Sequence, residues 1–121
     1  MGLDKKNYFT RKEIDCNCGC GFYLTDKDFL LKINAVRGIV GHPLHPTSWC
    51  RCPVHNLSVG GKVTSSHLKG LAVDLATPTE YIKYRILLAA GELYFRGVGV
   101  GKNFIHLDSD LDKPANRFWI Y

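Results

Sequence analysis

Hydrophobic and polar positions along the chain change period several times, and each change marks an element. From Asp26 to about Val40 the apolar residues Phe29, Ile33, Val36 and Val40 recur at helical spacing. Thr25 is placed to cap this helix, Asp26 and Asp28 suit its N-terminal dipole, and Gly41 and Pro43 stop it. From Leu71 to Ala76 the period becomes two. Leu71, Val73 and Leu75 are bulky, while Ala72, Asp74 and Ala76 are small or charged, which predicts a strand with Asp74 turned away from the core face. A second helix follows, with Thr77 as cap, Pro78 at its first position, Glu80 completing a capping box, and Ile82, Ile86, Ala89 and Leu93 as its stripe.

The remaining segments are shorter. Thr10 to Glu13 is a capping-box pattern that starts a short helix, and the run from Cys16 to Gly21 closes it in a tight loop. Pro43 to Ser66 is rich in Gly, Pro and Ser, and predicts a strand near Thr47–Arg51 followed by a long ordered loop. Gly97 to Gly101 is expected to end the second long helix and lead into a strand around Asn103–Asp108, with Phe104, His106 and Asp108 on one side. Asn116 to Tyr121 is a final strand. The expectation is one domain over residues 1–121, with residues 1–24 as a lead-in that carries a cysteine cluster.

Composition narrows the function classes. The formal charge of +5, from 16 basic and 11 acidic residues, suits an anionic partner, but the basic residues are scattered and form no nucleic-acid arm. Apolar stretches fall short of the ~20 residues of a membrane span, and the start has no apolar signal core. Gly2 is no lipidation site, because Lys6 stands where that motif requires Ser or Thr. The expectation is a monomer made in the cytoplasm, with neither nucleic acid nor membrane as partner.

Five cysteines fall in two bunches, Cys16, Cys18 and Cys20, then Cys50 and Cys52. Reduced structural thiols, a disulfide and a second metal all remain open, and the C-x-C spacing is not that of common zinc knuckles. A knuckle for nucleic acid is opposed by the scattered basic charge.

The chemistry concentrates in Ser65-Ser66-His67-Leu68-Lys69-Gly70-Leu71-Ala72-Val73-Asp74 and, later, Phe104-Ile105-His106-Leu107-Asp108. Two imidazoles and one carboxylate, His67, Asp74 and His106, form a donor set for zinc that leaves a fourth position open, as hydrolytic sites do. His67 and Asp74 lie too far apart for one helical turn, so they must converge through a bend at Gly70. Asp108 lies on the face of His106 and is the local candidate to take a proton; its alternatives are to orient His106 or to pair with Arg51. His42 and His45 read as loop surface residues, and His55 as a site-wall or hydrogen-bonding residue. Trp49, Trp119 and Tyr121 are candidates for a substrate groove, with core packing the alternative.

The pattern S-x-H-x-x-G-x-A-x-D followed by F-I-H-x-D resembles the zinc D-alanyl-D-alanine carboxypeptidase family of hedgehog-like fold. The segment from Ser48 to Asn56 and the pair Gly60-Gly61 resemble the family's stretch before its first zinc histidine, so the likeness covers roughly residues 8–121. The resemblance implies an α+β domain in which a small antiparallel sheet carries zinc and helices pack on its other face. It implies His67, Asp74 and His106 as ligands and Arg51 as the clamp for a substrate carboxylate or oxyanion. One departure stands out: where relatives carry a glutamate or histidine base just before the second zinc histidine, this chain has Asn103 and Phe104. The expected function is a zinc metallopeptidase acting on peptidoglycan stem peptides, as a D,D-carboxypeptidase or endopeptidase. A phage lysin acting on the cell wall fits this reading. The alternative is a zinc-stabilised wall-binding module without turnover.

Overall fold

The computed structural model describes residues 6–121. The Gly2 reading and the first five residues of the lead-in lie outside them. The elements run α1 (Arg11–Ile14), α2 (Lys27–Val40), β1 (Pro46–Ser48), α3 (Pro53–Ser58), a 3₁₀ turn (Ser66–Lys69), β2 (Ala72–Ala76), α4 (Glu80–Leu93), β3 (Gly97–Val100), β4 (Phe104–Asp108) and β5 (Arg117–Ile120). This is an α+β fold with a five-stranded sheet in the order β1-β2-β4-β3-β5. β1·β2, β2·β4 and β3·β4 are antiparallel, but β3 and β5 run parallel, so the sheet is mixed where an antiparallel one was expected.

One face of the sheet is apolar because strand parity puts the bulky residues there. Val73 and Leu75 of β2 and Ile105 and Leu107 of β4 are fully enclosed, packed in one cluster with Phe29, Ile33, Val36 and Val40 of α2 and with Ile86, Ala89 and Ala90 of α4. Enclosing an aliphatic side chain of this size contributes about 1.5–3 kcal/mol. A one-residue slip of β4 would turn Ile105 and Leu107 off the apolar face and set His106 among its aliphatic side chains, so burial fixes the register. The lead-in belongs to the same cluster through Phe9 and Ile14. Trp49 is buried there too, edge-on to Phe9 and Phe29. It is core and takes no part in a groove.

Five local expectations need correction. Asp26 caps α2, accepting from the Phe29 amide at 2.9 Å, in place of Thr25. Thr79 caps α4, accepting from Ile82, while the Thr77 amide bonds the Asn103 carbonyl at the end of the β2·β4 ladder. The Pro43–Ser66 segment holds a helix, α3, with Cys52 as its cap and Pro53 at its start; its Val54 and Leu57 are exposed, so no apolar stripe announced it. The strand before it ends at Ser48, where Trp49 turns into the core. Gly97–Val100 is a strand in its own right and more than a terminator.

The glycines of β3 create space on the face opposite the helices. A Cβ on Gly97 would collide with the Asp108 and Arg117 side chains, one on Gly99 with the Trp119 indole, and one on Gly101 with the Phe104 ring. Side chains of β4 and β5 therefore meet across a strand that presents none on this face. Gly97→Ala is expected to destabilise the protein by about 1–3 kcal/mol through overpacking. Gly91→Ala in α4, where an added Cβ meets nothing within 4 Å, should stabilise by about 0.5–1 kcal/mol. Urea denaturation of the two variants checks both signs.

Candidate metal centre and groove

Two rows of residues crossing the sheet build the site. In the first, Asp74 of β2 is the direct partner of His106 on β4, which faces Gly99 of β3, which in turn faces Trp119 of β5. In the second, Ala72, Asp108, Gly97 and Arg117 line up in the same way. Antiparallel partners carry their side chains on the same face at cross-strand distance, so the His106 and Asp74 side chains touch: Nδ1 to Oδ1 is 3.0 Å. Gly99 lets the Trp119 indole lie against the His106 ring, with centroids 5.3 Å apart.

His67 reaches the same point from outside the sheet. Its 3₁₀ turn opens with Ser65, whose hydroxyl accepts from the His67 amide, and closes at Gly70 with φ of 69°. Gly70 is required there for its left-handed backbone and because a Cβ would strike the Leu24 backbone. Buried Asp110 anchors the turn, accepting from the Ser66 hydroxyl at 2.8 Å and from Lys69 at 3.0 Å. The ring itself is fixed by a 2.6 Å contact between Nδ1 and the Trp49 carbonyl. A carbonyl can only accept, so Nδ1 carries a proton and Nε2 is the nitrogen turned toward Asp74 Oδ1, 3.4 Å away.

His106 is oriented by the same logic in the opposite sense. Its Nε2 lies 2.9 Å from Asp108 Oδ2, which leaves Nδ1 for Asp74. Asp108 is 1% exposed, and its other oxygen accepts from the Arg117 guanidinium at 2.6 Å. Both carboxylate oxygens are engaged. Asp108 pairs with Arg117, and Arg51 faces Asp74 instead, with Nη2 3.6 Å from Oδ2. Ser48 and Asn56 brace the Arg51 guanidinium at 3.1 and 3.2 Å. Asn56 also bonds the Lys62 carbonyl, and Gly61 lies so close that a Cβ would hit it, which ties α3 to the Gly60-Gly61 turn.

The donor atoms of His67, Asp74 and His106 all lie within 4.8 Å of one another. A tetrahedral ion with bonds near ~2.0–2.1 Å places its ligand atoms about 3.3 Å apart, which is the spacing of 3.0 and 3.4 Å from the two ring nitrogens to Asp74 Oδ1. Each imidazole is held through its other nitrogen, as metal-binding histidines are. The donor set therefore fits a divalent ion. The electrostatics agree with shared use of these atoms. Burial pushes the Asp74 carboxyl up, but hydrogen bonds from His106 and His67 outweigh this and hold it well below the usual carboxylate range. Burial likewise opposes a charged His106 ring, yet the bonds to Asp108 and Asp74 raise its pKa, so a proton would compete with a metal for Nδ1.

These residues line a groove of about 600 Å³ together with Arg51, Phe104, Trp119 and Tyr121. Of the expected aromatics, Trp119 and Tyr121 are on this wall. His42 packs edge-on against Tyr81, and none of His42, His45 and His55 lines the groove. Sequence reasoning missed Arg117, Asn56 and Asp110. The alternation of Gly97, Gly99 and Gly101 was the available signal for Arg117, since a strand face without side chains invites its neighbour's side chains across.

Comparison with known families agrees with this geometry. The Peptidase M15 family model matches residues 7–108, and the chain belongs to that family. No curated protein matches the chain. It is a peptidase by family, with β5 lying beyond the matched region.

Asp108→Asn tests the support behind His106. Burial raises the Asp108 pKa, but His106 and Arg117 outweigh it and the folded value is lowered. Its stabilisation is thus present above the unfolded pKa of ~3.9 and lost as pH falls through the folded value. The variant should lose about 2 kcal/mol at neutral pH, and the difference from wild type should shrink below pH ~4. Urea titrations across this range measure it; a pH-independent difference would contradict the pairing.

Proposed function

We propose that this peptidase is zinc-dependent and hydrolyses amide bonds in the stem peptide of peptidoglycan, as a D,D-carboxypeptidase or an endopeptidase, in the setting of a phage lysin acting on the cell wall. The observation that carries this reading is the convergence of three donors, His67 Nε2, Asp74 Oδ1 and His106 Nδ1, at the wall of an open groove. Zinc held by these residues supplies Lewis acidity toward a scissile carbonyl and lowers the pKa of a water from ~16 toward ~7.

The chain's own residues do the rest. Arg51, braced at two of its nitrogens, presents a fixed cation beside Asp74, where a substrate carboxylate or the oxyanion of the addition step would be neutralised. Asp108 is a positioning residue: it holds His106 by Nε2 and has no exposed oxygen to offer a substrate. Phe104, Trp119 and Tyr121 give the groove an apolar wall for the alkyl parts of a peptide, and Lys62, Lys113 and Arg117 give it positive charge suited to carboxylate-bearing stem peptides. A second reading, a zinc-stabilised wall-binding module without turnover, rests on the enclosure of Asp108 and on Asn103 and Phe104 standing where relatives carry a base.

Incubation of the purified protein with muropeptides, followed by mass analysis, separates the two. Hydrolysis products that vanish with a chelator and return with zinc are expected. His67→Ala should abolish both zinc binding at this site and hydrolysis, while Arg51→Ala should lower kcat by about 10²–10³-fold with zinc retained. Full activity in a metal-free preparation would contradict the proposal, and binding without cleavage would favour the module.

A further inference from the structure

The cysteines form a second cluster, distinct from the groove's donors. Cys16, Cys18, Cys20 and Cys52 bring their sulfurs within 4.8 Å of one another. The Cys16–Cys18 separation is 3.5 Å and the Cys18–Cys52 separation 3.7 Å. A disulfide would need roughly 2.0 Å. Four sulfurs around a tetrahedral ion with bonds of ~2.3 Å lie about 3.8 Å apart, so the observed spacings are those of a metal-thiolate cage.

The backbone is arranged for thiolates. The amide of Cys52 donates to Cys16 Sγ at 3.3 Å, that of Phe22 to Cys20 Sγ at 3.4 Å, and that of His55 to Cys52 Sγ at 3.3 Å. Three of the four sulfurs thus accept an N–H bond, the outer interaction that stabilises and orients anionic ligands. A neutral thiol is a weak acceptor and gains little from it. Gly19 and Gly21, with φ of 81° and 85°, fold the C-x-C-x-C run back on itself, and the Gly19 amide bonds the Cys16 carbonyl. The fifth cysteine is accounted for separately: Cys50 is buried and donates to the Ile14 carbonyl at 2.9 Å.

We infer that Cys16, Cys18, Cys20 and Cys52 bind one zinc ion as a closed, four-thiolate structural site. All four coordination positions are filled by protein, which leaves none for a substrate, and binding by four thiols releases four protons. The site has a mechanical consequence. Cys52 caps α3 and directly follows Arg51, whose own amide bonds the His67 carbonyl at 3.0 Å. An ion here would clamp the lead-in, which also packs on the core through Phe9 and Ile14, to the segment that positions Arg51 and His67.

Elemental analysis of protein purified under reducing conditions, together with cobalt substitution, tests this independently of peptidase activity. Wild type should hold two zinc ions. Cys18→Ser/Cys20→Ser should lose one and keep the other, His67→Ala/His106→Ala should show the converse loss, and Cys50→Ser should keep both. Cobalt-loaded wild type should display the intense thiolate-to-cobalt charge-transfer band of a sulfur-rich tetrahedral site, a reading that survives even if a variant fails to fold. Loss of that band in Cys18→Ser/Cys20→Ser but retention in His67→Ala/His106→Ala assigns it to the cysteines. A single zinc insensitive to the cysteine changes, iron in place of zinc at the cysteines, or thiol titration showing these cysteines oxidised would overturn the inference. A single zinc lost only with the cysteines would uphold it while defeating the proposed groove site.

Discussion

Asp74 is the point on which the site turns. Its carboxylate is the only group that His67, His106 and Arg51 all face, at 3.4, 3.0 and 3.6 Å among the described residues. That arrangement needs Asp74 to stay ionised in a largely enclosed position, and the two imidazoles supply the hydrogen bonds that keep it so. It also needs β2 and β4 in one register, because His106 is the direct cross-strand partner of Asp74. The register is set on the opposite face by Val73, Leu75, Ile105 and Leu107, so the chemistry of one face depends on apolar burial on the other.

Beyond this pair, the site is a set of side chains each fixed by something behind it. Asp108 stands behind His106 and Arg117 behind Asp108; the Trp49 carbonyl stands behind His67; Ser48 and Asn56 stand behind Arg51. Buried charges of this kind are tolerated because each has a partner of opposite sign or a hydrogen-bonding group within reach. The glycine strand β3 makes the longest of these links feasible, since Arg117 and Trp119 reach β4 only across positions that lack side chains.

Much of this was legible in the sequence. Alternation from Leu71 to Ala76 and from Phe104 to Asp108 placed Asp74 and His106 on the polar faces of two strands, and the pairing of those strands follows in the structure. The bend at Gly70 was readable because its neighbours demanded convergence. What escaped was information held by absent or distant side chains. β3 has glycine at alternate positions, so the period of two was present without the hydropathy contrast that usually reveals it. The parallel β3·β5 pair depends on the path of residues 109–116, to which no motif pointed. Arg117 looked like one more scattered cation, and the two cysteine bunches could be joined only by a fold that carries Cys52 back to Cys18.

The proposed chemistry requires an ion seated among His67, Asp74 and His106 with one side open to the groove. A zinc-edge anomalous map from crystals grown with zinc tests this most directly. The predicted result is a peak about 2.0–2.2 Å from His67 Nε2, an Asp74 oxygen and His106 Nδ1, with a non-protein fourth neighbour. An absent peak at these atoms, or an ion there wrapped by four protein ligands, would contradict it.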